Sequence, residues 1–278
     1  MLARPRTACL GALGCLVGLV TTGVLSHVLP AAQARDTASL DGFASLQRTG
    51  IDGLLNRIAH LADTTPYLLL SLTVAAVALG RGRPRLATAV LLVLIVAPVT
   101  SEILKHLTAT PRIQSLIRAN EVGLGSWPSG HATGAMALAL CAVLVVPQRM
   151  RTAVAIAGGL FAIAVGYAVV ALVWHFPSDT VGGFLVAAMW ALLGVAAVRR
   201  WPDPASGRPE PERRPDAALR GSGLVVGAFA TLAALAIAST RPGAIVERLA
   251  EYPSFAAAAA GIAALAAVLA TVLVRSAR

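Results

Sequence analysis

Residues 152–174 read TAVAIAGGLFAIAVGYAVVALVW, a run of 23 residues without a charged side chain. A helix of that length rises about 34 Å, which is enough to cross the hydrocarbon core of a bilayer. Only 13% of the whole chain is charged, whereas soluble domains usually carry about 25% charged residues. The chain is therefore predicted to be an integral membrane protein.

Seven further apolar runs of similar length flank this one, and turn-forming residues separate them. The eight predicted spans cover residues 7–28, 62–80, 86–104, 130–146, 152–174, 177–198, 221–240 and 254–274. The predicted fold is all-α and polytopic, with a six-helix core and two extra C-terminal transmembrane helices. The first run also fits a cleavable signal peptide, because Arg4 and Arg6 precede it and residues 32–34 read AQA. An uncleaved first helix is the preferred interpretation.

Loop charges predict the orientation, because positive residues concentrate on the cytoplasmic side. The loops on the side of the N-terminus hold 15 Lys and Arg residues, and the opposite loops hold 8. Both termini are therefore predicted to be cytoplasmic, in a multi-pass protein of the cell membrane.

The stretch RRWPDPASGRPEPERRPDAALR, residues 199–220, is rich in Pro and charge and is typical of an unstructured linker. It predicts a core over residues 1–200, a cytoplasmic linker over 201–220 and a two-helix appendage over 221–278. Residues 35–61 place apolar side chains at helical spacing, which favours a helix on the outer membrane surface.

Neither nucleic acid nor a metal is a predicted partner of this chain. Its formal net charge is +10, but the arginines stand in short clusters between apolar runs and not along one polar face. The three cysteines lie inside apolar runs, without the close spacings of a zinc site. No cofactor is therefore predicted.

Polar residues of the predicted outer loops carry the chemistry. Lys105 is the only lysine among 23 Lys and Arg residues, and it ends the third span. There its ammonium is placed to bind a phosphate, although an interface residue that snorkels to the surface is an equal alternative. Arg112 follows in the next loop, where a guanidinium can bind two phosphate oxygens.

The tetrapeptide Pro128-Ser129-Gly130-His131 enters the fourth span. Ser129 is predicted to cap this helix, and Gly130 permits close approach to the first amide groups, which form an anion site. His131 lies in the first turn, where it can exchange a proton with a group bonded to that anion. Simple capping, with His131 at the interface, is the alternative.

The junction of the fifth and sixth spans holds His175 and Asp179. Asp179 falls in the first turn of the sixth helix, from which its carboxylate can turn back to His175. A carboxylate that binds one imidazole nitrogen leaves the other free as a nucleophile or base. A structural role for this pair stays open from its sequence alone.

Together these residues resemble the three-part motif of the type-2 phosphatidic acid phosphatase superfamily, membrane lipid phosphatases related to vanadium haloperoxidases. The family motif is Lys, six residues, Arg-Pro; Pro-Ser-Gly-His; and Ser-Arg, five residues, His, three residues, Asp. Over roughly residues 1–200 this chain has Lys105, HLTATP and Arg112, then Pro128 to His131, then His175, FPS and Asp179.

The resemblance implies a six-helix core with its site on the outer face and no metal. His175 would be the nucleophile, Asp179 would orient it, and His131 would protonate the leaving oxygen. The phosphate ligands implied are Lys105, Arg112, Ser129 and Gly130.

Two departures from the family pattern stand out. Ile113 replaces the proline of the first part, with Pro111 just before Arg112, and Ala168 and Val169 replace Ser-Arg in the third part. A phosphate-binding arginine is therefore missing, and a transition-state arginine contributes about 10³ to 10⁵ in rate. Arg118 is the candidate replacement, and weakened activity is the alternative.

The predicted function is metal-independent hydrolysis of a membrane lipid phosphate or diphosphate through a phosphohistidine, that is, a phosphoric monoester or acid-anhydride hydrolase of cell-envelope lipid metabolism. The first predicted substrate is a polyprenyl phosphate or diphosphate, and the second is phosphatidate or phosphatidylglycerol phosphate. Two alternatives are a lipid-phosphate binding or transport protein with weakened catalysis, and a phosphotransferase to a lipid or sugar. The sequence predicts no oligomeric state.

Overall fold

The computed structural model describes residues 5–109, 122, 125–201 and 251–276 of the chain. Nine α-helices lie in these ranges, two short 3₁₀ turns accompany them at Ser45–Thr49 and Gln148–Met150, and no strand occurs there. The helices are α1 Pro5–Val28, α2 Pro30–Ala44, α3 Asp52–His60, α4 Thr64–Gly80, α5 Pro84–Leu107, α6 Gly130–Val145, α7 Arg151–Ala171, α8 Pro177–Arg200 and α9 Pro253–Ser276. The all-α, multi-pass fold class predicted from the sequence is confirmed.

Five of these helices are long and apolar enough to cross a membrane, and they are α1, α5, α7 with its preceding turn, α8 and α9. The α3 and α4 helices pass the same test as a pair, but they are bent by 50° at the break between them. The predicted span 62–80 therefore corresponds to α4 after a bend, with Asp63 at the corner. The predicted span 221–240 and the linker 201–220 lie outside the described residues, apart from Trp201.

The α6 helix is the centre of the core. It is apolar on all sides, and 13 of its 16 residues are buried against neighbouring helices, mainly α5, α7 and α8. A helix of 16 residues is about 24 Å long, shorter than a bilayer core of roughly 30 Å. The α6 helix alone is therefore too short to cross that core.

The α9 helix is packed against the core along its length. Near its start, the ring of Phe255 meets that of Phe43 on α2 at a centroid distance of 4.8 Å, and the Ser39 hydroxyl donates to the Ser254 carbonyl at 3.0 Å. At its end, the Ser276 carbonyl accepts a hydrogen bond from Arg199 near the end of α8. Because α2 also contacts the start of α8, through Asp36 and Ser178, the α8 and α9 helices run in the same direction.

The segment 35–61 contributes helices α2 and α3 and the 3₁₀ turn between them. Its two most apolar side chains on α2, Leu40 and Phe43, are fully buried. Helices α7 and α9 lie against this part of the chain. The apolar side of α2 is thus covered by protein, which a sequence pattern alone does not distinguish from membrane contact.

The α7 helix ends at Ala171, three residues before the predicted end at Trp174. The Val173 amide donates to the Val170 carbonyl at 2.9 Å, and the Trp174 amide donates to the Val169 carbonyl at 3.0 Å. These two bonds form a Schellman motif, in which the residue after the cap takes a left-handed conformation. Here that residue is Val173, at φ 63°. A β-branched residue such as valine is strained in the left-handed region and is rarely found there. The sequence therefore gives no sign that the helix ends here, and the predicted helix continues to Trp174.

Candidate active site

The start of α6 is joined directly to the start of α8. Ser129 is the N-cap of α6, and its side-chain oxygen accepts from the Ala132 amide at 3.3 Å. The Ser129 amide in turn donates to the Asp179 carbonyl at 2.9 Å. The second and third parts of the motif therefore meet through a backbone hydrogen bond.

This junction depends on Gly183, one turn into α8. A Cβ atom at Gly183 would lie 2.7 Å from the Ser129 carbonyl oxygen and 3.0 Å from the Thr133 amide nitrogen. Any side chain there would push the two helix starts apart, because both contacted atoms belong to the backbone. Thr133 also ties α6 to α5, since its hydroxyl lies 2.7 Å from the Ser101 hydroxyl.

Lys105 reaches the start of α6. Its Nζ lies 3.3 Å from the point where a Gly130 Cβ would stand, so the missing side chain leaves room for the ammonium beside the first turn. The ammonium donates to Glu102 Oε1 at 2.7 Å. Helix-start amides and a cation therefore converge there, as an anion site requires.

His175 and Asp179 form a buried pair. Asp179 is fully buried and His175 is 8% exposed, and His175 Nδ1 lies 3.4 Å from Asp179 Oδ2. That distance is long for a hydrogen bond, and Nδ1 has no aligned partner within the described part of the chain. The same Asp179 oxygen accepts the Phe176 amide at 3.0 Å, one half of a capping box. Such pairs often tighten only when a substrate binds.

The start of α8 is anchored from outside by Asp36 on α2. Its Oδ1 accepts from the Ser178 amide at 3.0 Å, and its Oδ2 accepts from the Ser178 hydroxyl at 2.5 Å. A carboxylate is stabilised at a helix N-terminus by the helix dipole. Because Asp179 is the next residue, α2 helps to hold the His175–Asp179 pair in place.

Three comparisons with known proteins bear on this arrangement. Residues 86–203, from α5 to just past α8, match the model of the PAP2 superfamily. A comparison with curated proteins gave no match.

A crystal structure described as the first transmembrane PAP2-type phosphatidylglycerolphosphate phosphatase from Bacillus subtilis is similar in fold, with a TM-score of 0.55. The two sequences are 22% identical, and the match covers 67% of this chain and 94% of that one. At this identity the likeness establishes the PAP2 fold alone.

One departure from the PAP2 motif has a clear structural consequence. Ala168 and Val169, at the Ser-Arg positions, are fully buried in the hydrophobic core of the PAP2 region. The Val169 carbonyl accepts from the amides of Trp174 and His175, at 3.0 and 3.3 Å. This position therefore fixes the backbone before the histidine, and it supplies no cation.

The two predicted arginines of the PAP2 site, Arg112 and its candidate replacement Arg118, lie outside the described residues. The structure therefore brings together Lys105, Ser129, Gly130, His131, His175 and Asp179 of the predicted site. Across the described ranges, no three His, Cys, Asp or Glu side chains form a metal-binding group.

His131 faces His175, with ring centroids 6.4 Å apart. Its Nε2 lies 3.1 Å from Oδ1 of Asp63, at the corner between α3 and α4. Sequence reasoning missed Asp63, because it stands 68 residues from His131 and belongs to no motif. Its position before an apolar helix is an ordinary capping signal.

His60, which lies near the end of α3, completes this cluster. His60 Nδ1 lies 2.8 Å from the other carboxylate oxygen of Asp63, and the Trp174 ring packs against both imidazoles, at 5.8 Å from His60 and 5.6 Å from His131. Desolvation raises the pKa of the Asp63 carboxyl, but the hydrogen bonds from His60 and His131 outweigh it and hold that pKa below its ordinary value. Asp63 is therefore a carboxylate at neutral pH.

Proposed function

We propose that the protein hydrolyses the phosphate or diphosphate group of a membrane lipid through a phosphohistidine on His175. The observation that carries this proposal is the meeting of His131, His175 and the Lys105 ammonium at the joined starts of α6 and α8. The PAP2 match supports lipid phosphate hydrolysis in general.

The phosphoryl oxygens bind at the start of α6. Lys105 supplies a point charge, the first amides of α6 supply donors at Gly130, and the Ser129 hydroxyl keeps its own proton to donate. Arg112 is proposed as a further ligand from its place in the motif. Cationic side chains and helix-end amides are then sufficient to stabilise the charge that develops on a transferring phosphoryl group, without a metal.

In the first step His175 attacks phosphorus. Asp179 lies 3.4 Å from Nδ1 and is proposed to accept its hydrogen bond once the substrate is bound. Nε2 then forms the new N–P bond while the bond from phosphorus to the lipid oxygen breaks. The leaving oxygen takes a proton from His131. In the second step a water oxygen attacks phosphorus and the water gives a proton to His131. The bond from Nε2 of His175 to phosphorus breaks, and inorganic phosphate leaves.

The proposed site lies on the outer face of the membrane, with both termini cytoplasmic. The loop charges support this side, and the short α6 allows its start to lie below the bilayer surface, near the level of lipid head groups. A polyprenyl phosphate or diphosphate is the first proposed substrate, and phosphatidate or phosphatidylglycerol phosphate is the second.

The test is phosphate release by purified protein in detergent with a chelator present. Polyprenyl phosphate, polyprenyl diphosphate, phosphatidate and phosphatidylglycerol phosphate are compared at equal surface fraction. The proposal expects turnover of at least one lipid with chelator and loss of turnover in His175→Ala. Complete dependence on added Mg²⁺, or labelled phosphate passing to an acceptor lipid faster than to water, would contradict it.

The burial of Val169 favours a second candidate, a lipid-phosphate binding protein with weak catalysis. That candidate keeps the Lys105 and α6 anion site but lacks the transition-state cation of the third motif part. It expects saturable binding of a lipid phosphate in the same detergent with no vanadate-sensitive phosphate release.

A further inference from the structure

Asp63 occupies a capping position but does not cap. It precedes α4 with the extended backbone of an N-cap residue, at φ −64° and ψ 161°, and its side chain makes no capping hydrogen bond. An Asp at such a position normally accepts an amide hydrogen bond from its own helix. Here the carboxylate is turned away from α4, to the two imidazoles.

The two imidazoles divide the carboxylate between them. His131 approaches Oδ1 at 3.1 Å, and His60 approaches Oδ2 at 2.8 Å. Because His60 comes from α3 and His131 from α6, the bend between α3 and α4 is what brings Asp63 to this place. The Trp174 ring, just before His175, limits the movement of both imidazoles.

We propose that Asp63 is the positioning residue for His131 as the general acid, with His60 fixing the carboxylate from its other side. This proposal rests on the proposed function. A carboxylate beside an imidazole stabilises its protonated form, and a general acid must hold its proton until the leaving oxygen develops charge. With Nε2 bound to Asp63, Nδ1 is the nitrogen that gives its proton to that oxygen.

The surroundings of His131 disfavour its protonated form, and the Asp63 carboxylate is the group that favours it. Partial burial of the ring has the largest effect, and His175 across the site and the Lys105 ammonium act on the ring as like charges. Asp63 is the facing carboxylate that contacts His131, while Glu102 is paired with Lys105 and Asp179 with the start of α8. Removing the charge of Asp63 therefore removes the main support of the acid.

The test uses two phosphate esters that differ in their need for an acid. The leaving group of hexyl phosphate is hexanol, whose oxygen requires a proton. The leaving group of 4-nitrophenyl phosphate is 4-nitrophenolate, a stable anion that requires none. In Asp63→Asn we expect kcat/KM for hexyl phosphate to fall about 10- to 100-fold, as the loss of a hydrogen bond to a charged group predicts. The 4-nitrophenyl rate falls much less, and the alkaline limb of the hexyl pH profile moves to lower pH.

Asp52→Asn is the matched control, since Asp52 is an exposed acid in the first turn of α3 and lies outside the site. Equal losses for both esters in Asp63→Asn, or no loss, overturn the proposal and show a merely structural role. If the wild-type protein hydrolyses neither ester, the proposed function is what fails. In that case NMR of protein with labelled histidine still tests the role of Asp63, because it follows the titration of His131 directly. The His131 signal is assigned as the one that is lost in His131→Gln. We expect His131 to gain its proton at lower pH in Asp63→Asn, and an unchanged titration overturns the proposal.

Discussion

The site contains two histidine–carboxylate pairs of different origin. His175 and Asp179 are four residues apart at the start of one helix, and the carboxylate is fully buried. His131 and Asp63 are 68 residues apart on separate helices, and the side chain of Asp63 is 43% exposed. The first pair follows from local chain geometry, and the second exists only because the helices pack.

This difference shows that the pair with the proposed nucleophile is held more rigidly than the pair with the proposed acid. The buried pair is held by backbone hydrogen bonds from the N-cap of α6 and the end of α7, and by the Asp36 carboxylate of α2, which binds the Ser178 amide next to Asp179. The two members of the exposed pair meet only through their side chains, and the second oxygen of the carboxylate contacts another imidazole, that of His60. A nucleophile needs one fixed direction of attack, whereas an acid must give up and regain a proton in each turnover.

The largest effect is expected at the buried carboxylate. We expect Asp179→Asn to lower kcat for every ester about 10³- to 10⁴-fold, because the amide no longer orients or stabilises the imidazole that attacks phosphorus. Steady-state kinetics with both hexyl and 4-nitrophenyl phosphate measure this. A loss confined to the alkyl ester would mean that the two pairs have exchanged roles.

Close packing supports the buried pair, which a pair of glycine variants tests. Gly183→Ala puts a methyl group against the backbone of Ser129 and Thr133, so we expect a loss of about 1–3 kcal/mol in stability together with lower activity. Gly14→Ala on α1 meets open space and should gain about 0.5–1 kcal/mol. The unfolding temperatures of the two variants, measured in detergent, test this prediction. Equal unfolding temperatures for Gly183→Ala and Gly14→Ala would contradict the packing argument.

A smaller effect is expected at His60, the second imidazole that contacts Asp63. In His60→Gln the Asp63 carboxylate keeps its contact with His131 but loses its contact with His60. Activity on alkyl phosphates should therefore fall only about two- to fivefold, because one exposed hydrogen bond contributes little free energy. The 4-nitrophenyl rate serves as the internal reference. A loss as large as that of Asp63→Asn would make His60 the dominant partner.

An effect of similar size but opposite sign is expected at Glu102, which competes with phosphate for the Lys105 ammonium. Because Glu102 is exposed, its ion pair contributes at most about 1 kcal/mol. Glu102→Gln should therefore lower KM by about two- to fivefold with kcat unchanged. A higher KM would show that Glu102 orients Lys105 and does not compete with the substrate.

Much of the fold could be predicted because long apolar runs have few alternatives in a bilayer. The starts of α6 and α8 were predicted at the observed residues, since Ser129 caps one and Pro177 begins the other. The early end of α7 could not be predicted, because Val173, the residue with φ 63°, gives no turn signal in the sequence. The break before α4 falls at the predicted boundary between the surface segment 35–61 and the span 62–80, but its bend of 50° could not be predicted.

For the site, residues within one helix start were predictable and residues brought together by packing were not. His175, Asp179, Ser129 and His131 lie at helix ends that the sequence marks clearly. Asp63 gave only a capping signal, and its true partners depend on the bend between α3 and α4. The expected contributions of Arg112 and Arg118 stay predictions.

The central claim is that His175 carries the phosphoryl group. Wild-type protein and His175→Ala are mixed with a ³²P-labelled lipid phosphate in detergent, quenched within the first turnover, and separated under denaturing conditions. The account predicts a labelled wild-type protein whose label survives alkali and is lost in acid, as expected of phosphohistidine, and an unlabelled variant without turnover. Label or steady turnover retained in His175→Ala would contradict it.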